Sequence, residues 1–394
     1  MSIHPTLDEA AVRAILAQEY PRFSAMEYAR RRAALAGVMA ARACDHLLIC
    51  GEQRSGGGVQ WVTGWPVTTE ACVIFKPGER ERMYMEWYNH VPLATRIACQ
   101  SDVHWGEHRG IDLVVEDLRA RGAKRVAYIG PMSIAKFRKL EANFTMVDAG
   151  RDYVRLRLVK SDEEIQWLRI GAALSDLGQT ALREELRIGM TEREAANLIE
   201  RAWVGHGGYT SIHYMGVTSM ANPDLCVPRQ HASPRKVQAG DVIFTELSAH
   251  FWDYAGQVLR SYTIAAAPTP LYRDLFQTAE AAFAAVTAVL KPGCTMQAII
   301  DAADVVERSG FTICDDLVHG YGGGYFPPIL GSKSRPAGPL PDMVMEENMT
   351  VVVQPNVVSP DRRAGVQHGE LMRITRDGCE SLHRTPGGFA RIGG

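Results

Sequence analysis

In the first part of the chain, to about residue 155, short apolar runs of strand type alternate with segments of helical period. Ser24 and Glu27 form an S-x-x-E capping box ahead of the helical segment EYARRRAALAGVMAAR. The SGGG stretch at 55–58 predicts a loop, because nothing beside it resembles a phosphate-binding loop. The alternation predicts an α/β layer with a mixed sheet. The strand candidates are HLLIC, ACVIF, ERMYMEW and KRVAYIG, and IDLVVEDLRARG is predicted as a helix between them.

A different pattern begins at RLVKSDEEIQWLRIGAAL, where one face is apolar and the other is charged. The apolar positions at helical spacing are Trp167, Ile170, Leu174, Leu177 and Ala181. A chain of 394 residues is long enough for two domains. We therefore expect an N-terminal α/β domain over 1–157 and a second domain over 158–394.

The second domain repeats its own pattern. LRIGMTEREAANLIE at 186–200 is echoed by LKPGCTMQAIIDAADVVE at 290–307, and GDVIFTE at 240–246 is echoed by NMTVVVQ at 348–354. Thr191 and Glu194 form a capping box in the first copy. Two units of near-equal spacing indicate an internal duplication around a pseudo-two-fold axis. The strand ends would then build a site between the halves, with Glu246 and Gln354 facing each other.

Composition and charge narrow the class of protein. With 46% hydrophobic and 22% charged residues and a formal net charge of -2, the chain has no general attraction to nucleic acid or anionic membrane. No apolar run approaches the ~20 residues that span a bilayer, and the N-terminus lacks the pattern of a signal peptide. Eight scattered cysteines without a C-x-x-C favour buried thiols over disulfides or a zinc site. We expect a cytoplasmic protein that acts on a small molecule.

The order of motifs resembles the pita-bread superfamily of creatinase, aminopeptidase P, prolidase and methionine aminopeptidase. FSAMEYARRRAAL and WVTGW look like the N-terminal domain of the creatinase and prolidase branch, and LVKSDEE looks like its domain junction. GMTEREAA, GDVIF, HGYGGG, NMTVVVQP and RITRDG follow the order of its catalytic domain. The resemblance implies an α+β fold, in which a smaller N-terminal α/β domain is followed along the chain by a pita-bread C-terminal domain with a pseudo-two-fold repeat.

The resemblance also implies a place for metal ligands. Metallopeptidases of this superfamily hold two divalent ions with Asp, Asp, His, Glu and Glu, and a second histidine of theirs falls here on Phe326. Divalent ions of this kind need anionic oxygen ligands. Since three of the four carboxylate positions carry neutral residues, we expect no metal and no cofactor. The five ligand positions fall on Glu246, Gln257, His319, Gln354 and Gly369.

Creatinase and ectoine hydrolase share this fold and split C–N bonds without metal, and FTEL around Glu246 looks like the ectoine hydrolase strand. The main hypothesis is therefore a metal-independent hydrolase of a cyclic amide, amidine or amino-acid derivative. Glu246 would attack the carbon or activate water, and His319 would pass the proton to the leaving nitrogen. One alternative is a metal-dependent Xaa-Pro dipeptidase or aminopeptidase P-like enzyme with a rearranged site. Another is a catalytically inactive binding module.

The remaining site candidates each have a structural alternative. Glu370 is a third catalytic candidate, one residue beyond the last ligand position. The structural alternative for Glu246 is an ion pair with Arg260. Trp61 and Trp65 lie where creatinase-like homodimers lend residues to the partner's site, although core packing explains them as well; we expect a homodimer. The substrate-binding candidates are Gln257, Gln354, Arg229, His231, Arg260, Tyr325 and His368. The two glutamines could instead fill the space vacated by metal and bond to each other. Loop solvation would explain Arg229 and His231, a structural role Arg260, and loop packing Tyr325.

Overall fold

The computed structural model describes residues 4–53 and 57–393. Of the stretch 55–58 predicted as a loop, residues 55 and 56 lie outside the described residues, whereas Gly58 begins a short helix, so the prediction is wrong at that end. The chain forms two compact units. One unit runs from Ala14 to Arg157. The other begins at Leu158 and also includes the described residues up to Arg13. The sequence assigned those first residues to the N-terminal domain, but their short helices carry too few apolar residues to reveal which core they join.

Thirteen α-helices lie in the described residues, with one 3₁₀ turn at Tyr88–His90. Ser24 caps the third helix by accepting a hydrogen bond from the backbone of Glu27, as predicted. The helices are α1 (Pro5–Asp8), α2 (Ala10–Leu16), α3 (Ala25–Ala41), α4 (Gly58–Thr63), α5 (Val91–Ile97), α6 (Ile111–Ala120), α7 (Ile134–Glu141), α8 (Gly150–Leu158), α9 (Asp162–Glu185), α10 (Glu192–Val204), α11 (Pro270–Val289), α12 (Met296–Ala302) and α13 (Val305–Arg308). Among the described residues, none of these helices has the length and apolar content needed to cross a membrane.

The N-terminal unit contains a mixed six-stranded sheet, as predicted. Its strands are β1 (His46–Glu52), β2 (Glu70–Phe75), β3 (Arg82–Met85), β4 (Asp102–Trp105), β5 (Arg125–Ile129) and β6 (Thr145–Asp148). They lie in the order β4-β3-β2-β1-β5-β6, and β1 pairs antiparallel with β2 and parallel with β5. Apolar side chains of these strands and of α6 form one buried cluster.

The second unit has the α+β pita-bread architecture, built on a nine-stranded sheet and a separate strand pair. Its strands are β7 (Tyr209–Ser219), β8 (Asp241–Phe251), β9 (Tyr254–Ile264), β10 (Thr312–Ile313), β11 (Val318–Tyr321), β12 (Tyr325–Leu330), β13 (Thr350–Val353), β14 (Val357–Val358), β15 (Gly369–Ile374), β16 (Cys379–Ser381) and β17 (Arg391–Ile392). The main path of the large sheet is β12-β11-β13-β15-β9-β8-β7. Two halves of a duplicated unit thus meet where β15 pairs with β9.

Helix α9 covers the β8–β9 hairpin of this sheet. Its first turn is held by a complete capping box of Ser161 and Glu164, and α10 begins with the predicted box of Thr191 and Glu194. A β-carbon added at Gly256 would fall 2.2 Å from Cα of Ala172, so the helix and the strand approach each other more closely than any side chain would allow.

The register of the β8–β9 hairpin places two candidate residues on one face. Glu246 lies opposite Leu259, and Ser248 lies opposite Gln257. Glu246 and Gln257 are therefore diagonal neighbours, a separation that long side chains bridge. The sequence placed Glu246 at a strand end, but β8 continues to Phe251, so Glu246 is buried in the middle of the strand.

A buried carboxylate on α9 holds residues from both ends of the sequence. Asp176 accepts hydrogen bonds from Nδ1 of His383 at 2.8 Å and from the backbone nitrogen of Arg384 at 2.6 Å. Nε2 of His4 lies 3.3 Å from the same carboxylate. Asp176 is 1% exposed, so these contacts compensate its burial.

Candidate active site

Glu246 lies in the sheet with one carboxyl oxygen bonded and the other open. Nε2 of Gln257 donates a hydrogen bond to its Oε1 at 2.7 Å. Oε2 has no partner among the residues that the structure describes. Glu246 does not pair with Arg260, so the structural ion pair proposed as the alternative for Glu246 is not formed.

The two glutamines at former ligand positions are joined to each other. The same Nε2 of Gln257 lies 3.4 Å from Oε1 of Gln354. Gln354 in turn donates through Nε2 to the backbone oxygen of Asp316 at 3.2 Å and lies 3.4 Å from Oδ2 of Asp315. The predicted convergence of Glu246 and Gln354 therefore occurs through Gln257, which is 1% exposed.

A cavity of about 440 Å³ opens at this point. Its size lies within the usual range for small-molecule sites. Of the predicted site residues, four line it: Glu246, His319, Tyr325 and Gln354. The sequence analysis missed the other lining residues, which are Ile212, Tyr214, Val227, Pro228, Gln230, Cys314 and Asp315.

The environment of Glu246 keeps its carboxyl group neutral. Burial, together with the negative charges of Asp315 and Asp316, raises the pKa of Glu246 to about 8, against the smaller opposing effect of the hydrogen bond from Gln257. Near pH 7 the group therefore carries a proton. A protonated carboxyl group donates a proton to a leaving group, whereas a nucleophile or a general base requires the ionised form.

His319 is fully inside the protein on β11. Its ring stacks on Tyr325 with centroids 4.1 Å apart, and Nδ1 lies 3.4 Å from the backbone oxygen of Gly320. Burial lowers the pKa of His319 to about 4, so the ring is neutral near pH 7. The role of imidazolium proton donor, which the sequence suggested, does not suit this environment. A neutral ring still orients a ligand by hydrogen bonding.

Asp315 and Asp316 precede β11 and add carboxylates that the sequence analysis did not identify. Asp316 is fully engaged, because Nη1 of Arg335 contacts it at 3.0 Å and the hydroxyl of Tyr325 donates to it at 2.6 Å. Asp315 has no salt bridge among the described residues, and burial raises its pKa. A signal was present in the sequence: two consecutive carboxylates stand directly before the apolar pair that leads to His319.

Glu370 and Arg260 have structural roles. The guanidinium of Arg260 is 1% exposed and forms an ion pair with Glu370, which also accepts a hydrogen bond from the hydroxyl of Ser381. Arg260 further donates to the backbone oxygens of Gly369, Thr385 and Pro386. Glu370 does not line the cavity, because side chains alternate along β15 and its neighbour holds the position that faces Gln354.

The other predicted binding residues also lie away from the cavity wall. Arg229 pairs with the buried Glu192 at 2.6 Å, and His231 is exposed on its loop. His368 is held between Phe276 and Phe283, with ring centroids 5.4 and 4.9 Å from it. In the N-terminal unit, Trp61 and Trp65 are each only 2% exposed. This burial agrees with core packing, which was the structural alternative for both residues.

The donor set does not fit the two-metal site of the superfamily. Among the described residues, no group of three or more His, Cys, Asp and Glu side chains is placed to hold a metal ion. The amide nitrogen of Gln257 already faces Glu246, and an N–H donor cannot ligate a cation. A β-carbon at Gly369 would lie 2.4 Å from the backbone oxygen of Val353, so the strands leave no room for the last ligand.

Comparison with known proteins agrees with the fold. The model of metallopeptidase family M24 matches residues 166–376, which is more than half of the chain. The chain belongs to this family. A curated relative from Sinorhizobium fredii, named uncharacterized hydrolase/peptidase y4tL, is 27% identical over 70% of this chain and 72% of its own length. An Xaa-Pro dipeptidase from Lactobacillus helveticus is 25% identical, covering 70% and 75%.

Solved structures show the same architecture. The Xaa-Pro dipeptidase from Bacillus anthracis superposes with a TM-score of 0.79 over 93% of this chain and all of that chain, at 18% identity. The dipeptidase PepE from Mycobacterium ulcerans gives a TM-score of 0.77 over 94% and 99%, at 20% identity. The resemblance to the creatinase, aminopeptidase P and prolidase superfamily is therefore confirmed.

The functional hypothesis drawn from the sequence is wrong in its main form. It favoured a metal-independent, creatinase-like or ectoine-hydrolase-like enzyme acting on a non-peptide metabolite. The relatives and structural neighbours are instead named as peptidases and Xaa-Pro dipeptidases. The hypothesis gave too much weight to the FTEL strand and to the missing metal ligands. These features bear on the mechanism of bond cleavage more than on the choice of substrate.

Proposed function

We propose that this protein hydrolyses the amide bond of short peptides, with Xaa-Pro dipeptides as the first class to test. Membership of the M24 family supports peptide-bond hydrolysis, and two of the similar proteins bear the name Xaa-Pro dipeptidase. The cavity suits a substrate of dipeptide size. Its wall of Ile212, Val227 and Pro228 offers an apolar surface for a prolyl ring or an aliphatic side chain.

One observation carries the proposal: a neutral carboxyl group, Glu246, stands at the wall of the cavity with its Oε2 open. Amide nitrogen is a poor leaving group until it is protonated. Glu246 supplies that proton from a buried position, where the transfer faces little competition from water. A positioned general acid of this kind contributes roughly 10²- to 10⁴-fold to the rate.

The neighbouring side chains position the substrate. Gln354 and the neutral ring of His319 line the cavity and supply hydrogen bonds to a peptide carbonyl or amide. Gln257 fixes the side-chain rotamer of Glu246 by its hydrogen bond to Oε1. Because the donor set does not fit two divalent ions, proton transfer and substrate positioning are assigned to these side chains.

The test is hydrolysis of a peptide panel by purified protein, followed by mass spectrometry. The panel contains Xaa-Pro dipeptides, matched dipeptides without proline and Xaa-Pro-Xaa tripeptides, each with chelator or with added Mn²⁺, Co²⁺ or Zn²⁺. We expect Xaa-Pro cleavage that changes little with chelator. Glu246→Gln should reduce kcat by about 10²-fold or more, whereas Glu280→Gln, an exposed control, should leave it unchanged.

Two outcomes would overturn this proposal. Folded protein that cleaves no peptide of the panel under any metal condition would contradict the peptidase function. Full activity of Glu246→Gln would remove the carboxyl group from the mechanism. Activity that appears only with added divalent ions would keep the peptidase function but assign the chemistry to a metal site.

Three expectations from the sequence stay predictions. We propose a homodimer, on the resemblance alone, and a cytoplasmic location. We also propose no nucleic-acid or membrane partner, since a formal net charge of -2 gives no general attraction to either. Size-exclusion chromatography with light scattering tests the first of these directly.

A further inference from the structure

A continuous hydrogen-bonded bridge joins two carboxyl groups at the cavity. It runs from Oε1 of Glu246 to Nε2 of Gln257 at 2.7 Å, then to Oε1 of Gln354 at 3.4 Å. From Nε2 of Gln354 it reaches Oδ2 of Asp315, also at 3.4 Å. In this bridge the nitrogen of each carboxamide faces a carboxyl oxygen or a carbonyl.

Both ends of the bridge face the same cavity. Glu246 and Asp315 line it, whereas Gln257 does not and Gln354 lies between them. Glu246 is 8% exposed, and its Oε2 has no partner among the described residues. An open carboxyl oxygen at the wall of a cavity is free to form a hydrogen bond with a ligand or water.

Asp315 differs from the aspartate next to it. Asp316 is committed to Arg335 and to the hydroxyl of Tyr325. Among the described residues, Asp315 accepts from the backbone nitrogen of Asp316 at 2.8 Å and lies 3.4 Å from Nε2 of Gln354, and it has no salt bridge. It is therefore the carboxylate of this pair that can contact a substrate or take up a proton.

We propose that Asp315 is the second catalytic carboxyl group of this site, acting as general base while Glu246 acts as general acid. This inference rests on the proposed peptide-bond hydrolysis and explains how it proceeds with the side chains present. The carboxamide bridge holds the two groups at a fixed separation. Two carboxyl groups in different protonation states are a recurring solution for acid–base hydrolysis.

The step balances as follows. Asp315 removes a proton from water while the water oxygen bonds to the substrate carbonyl carbon. Glu246 gives its proton to the amide nitrogen, the C–N bond breaks, and an amine and a carboxylic acid leave. A proton then passes from Asp315 through water to Glu246 and restores both groups. No oxidant, reductant or further reactant is needed.

The charges around the pair favour this division of roles. Burial and the charge of Asp315 both raise the pKa of Glu246, so one proton shared by the two groups resides on Glu246. Because the two groups interact, their titrations belong to the pair. The other titratable or charged groups at the cavity are Asp316 with Arg335, His319, Tyr214, Tyr325 and Cys314.

The experiment compares Asp315→Asn and Asp315→Glu with wild type, using Asp342→Asn as an exposed control that removes the same charge. We expect kcat of Asp315→Asn to fall by about 10²-fold or more, with loss of the acid limb of the pH profile. Asp315→Glu should keep that limb and part of the activity. Asp342→Asn should match wild type.

A second measurement needs no substrate, so that failure of the pair and failure of the proposed function are distinguishable. Glutamate side chains labelled with ¹³C at the carboxyl carbon are titrated by NMR, and the Glu246 signal is assigned by its absence in Glu246→Gln. A lower midpoint for Glu246 in Asp315→Asn supports the pair even if no panel peptide is cleaved. An unchanged midpoint overturns the pair, and kcat of Asp315→Asn within threefold of wild type overturns the catalytic role.

Discussion

The side-chain nitrogen of Gln257 donates to Oε1 of Glu246 at 2.7 Å, across the diagonal of the β8–β9 hairpin. In the superfamily pattern these two positions hold metal ligands, which point their oxygens at a common cation. Here a donor faces an acceptor. A directed hydrogen bond thus stands where the superfamily pattern has coordination, and it opposes the larger effect of burial, which raises the pKa of Glu246.

The first prediction concerns Gln257→Leu. A donor stabilises the ionised form of a carboxyl group, so its removal should raise the pKa of Glu246 above its value of about 8. A hydrogen bond to a charged group is worth about 1.5–3 kcal/mol, which corresponds to roughly one to two pH units. The alkaline limb of kcat/KM against pH should move upward accordingly.

Gln230→Leu serves as its control, because Gln230 lines the same cavity without contacting Glu246. Its alkaline limb should stay in place even if its KM changes. An alkaline limb that is equal in wild type and Gln257→Leu would contradict the role of this hydrogen bond.

The second prediction concerns stability against pH. The pKa of Glu246 rises from an ordinary 4.5 to about 8, chiefly through burial. Between these values the folded protein holds a proton that the unfolded chain has released, so the contribution of Glu246 is complete below pH 4.5 and is lost as the pH rises to 8. Glu246→Gln has no such proton to lose.

The free energy of unfolding of Glu246→Gln, relative to wild type, should therefore grow by up to about 1.4 kcal/mol per pH unit over this window. Above this pH window the difference in unfolding free energy should become constant. Urea unfolding of both proteins at several pH values from 5 to 9 measures this difference. A difference that does not vary with pH would show that the carboxyl group titrates normally.

The third prediction separates Glu370 from catalysis. Glu370→Ala leaves the guanidinium of Arg260 buried without its carboxylate, a loss that typically costs about 3–5 kcal/mol. The melting temperature should fall markedly. Glu370→Gln, which keeps a hydrogen-bond acceptor, should lose less stability and retain kcat within a few fold.

The control for this pair is Asp8→Ala, because Asp8 and Arg13 form an ion pair with both side chains 61% exposed. Such a pair contributes less than about 1 kcal/mol. A large loss of kcat in folded Glu370→Gln would return Glu370 to the catalytic set that the sequence suggested.

The fourth prediction concerns Gly369→Ala. Its new β-carbon would lie 2.4 Å from the backbone oxygen of Val353, so β13 and β15 must separate. Overpacking of this kind costs about 1–3 kcal/mol. Gly378→Ala is matched to it, because a β-carbon there meets nothing within 4 Å. Equal stability of the two variants, measured by thermal unfolding, would contradict the close approach.

The sequence predicted what depends on periodicity and local capping. The mixed sheet, the helix after Ser161 and the duplicated strands that bring Glu246 near Gln354 all follow from such patterns. Arg260 could not be assigned in this way, since its partner depends on which strand pairs with β9. Nor could His368, whose two aromatic neighbours come from a helix more than 80 residues earlier in the chain.

The candidate site shows the same limit. The resemblance to the superfamily gave the positions of the residues that replace metal ligands. Asp315 contributes through its distance to Gln354 and because it forms no salt bridge with any residue that the structure describes, and both are properties of the folded chain. The protonation states of Glu246 and His319 likewise depend on burial depth, which no residue pattern specifies.

The Asp176 contacts have a practical consequence for protein production. His4 reaches the carboxylate that holds His383, and the backbone oxygens of the next residues, Thr385 and Pro386, accept from Arg260. Arg260 also donates to the backbone oxygen of Gly369, so a series of contacts connects His4 with β15. An affinity tag joined ahead of His4 would be attached at one end of this series. A tag on the N-terminal side should be cleaved off before kinetic constants are compared between variants.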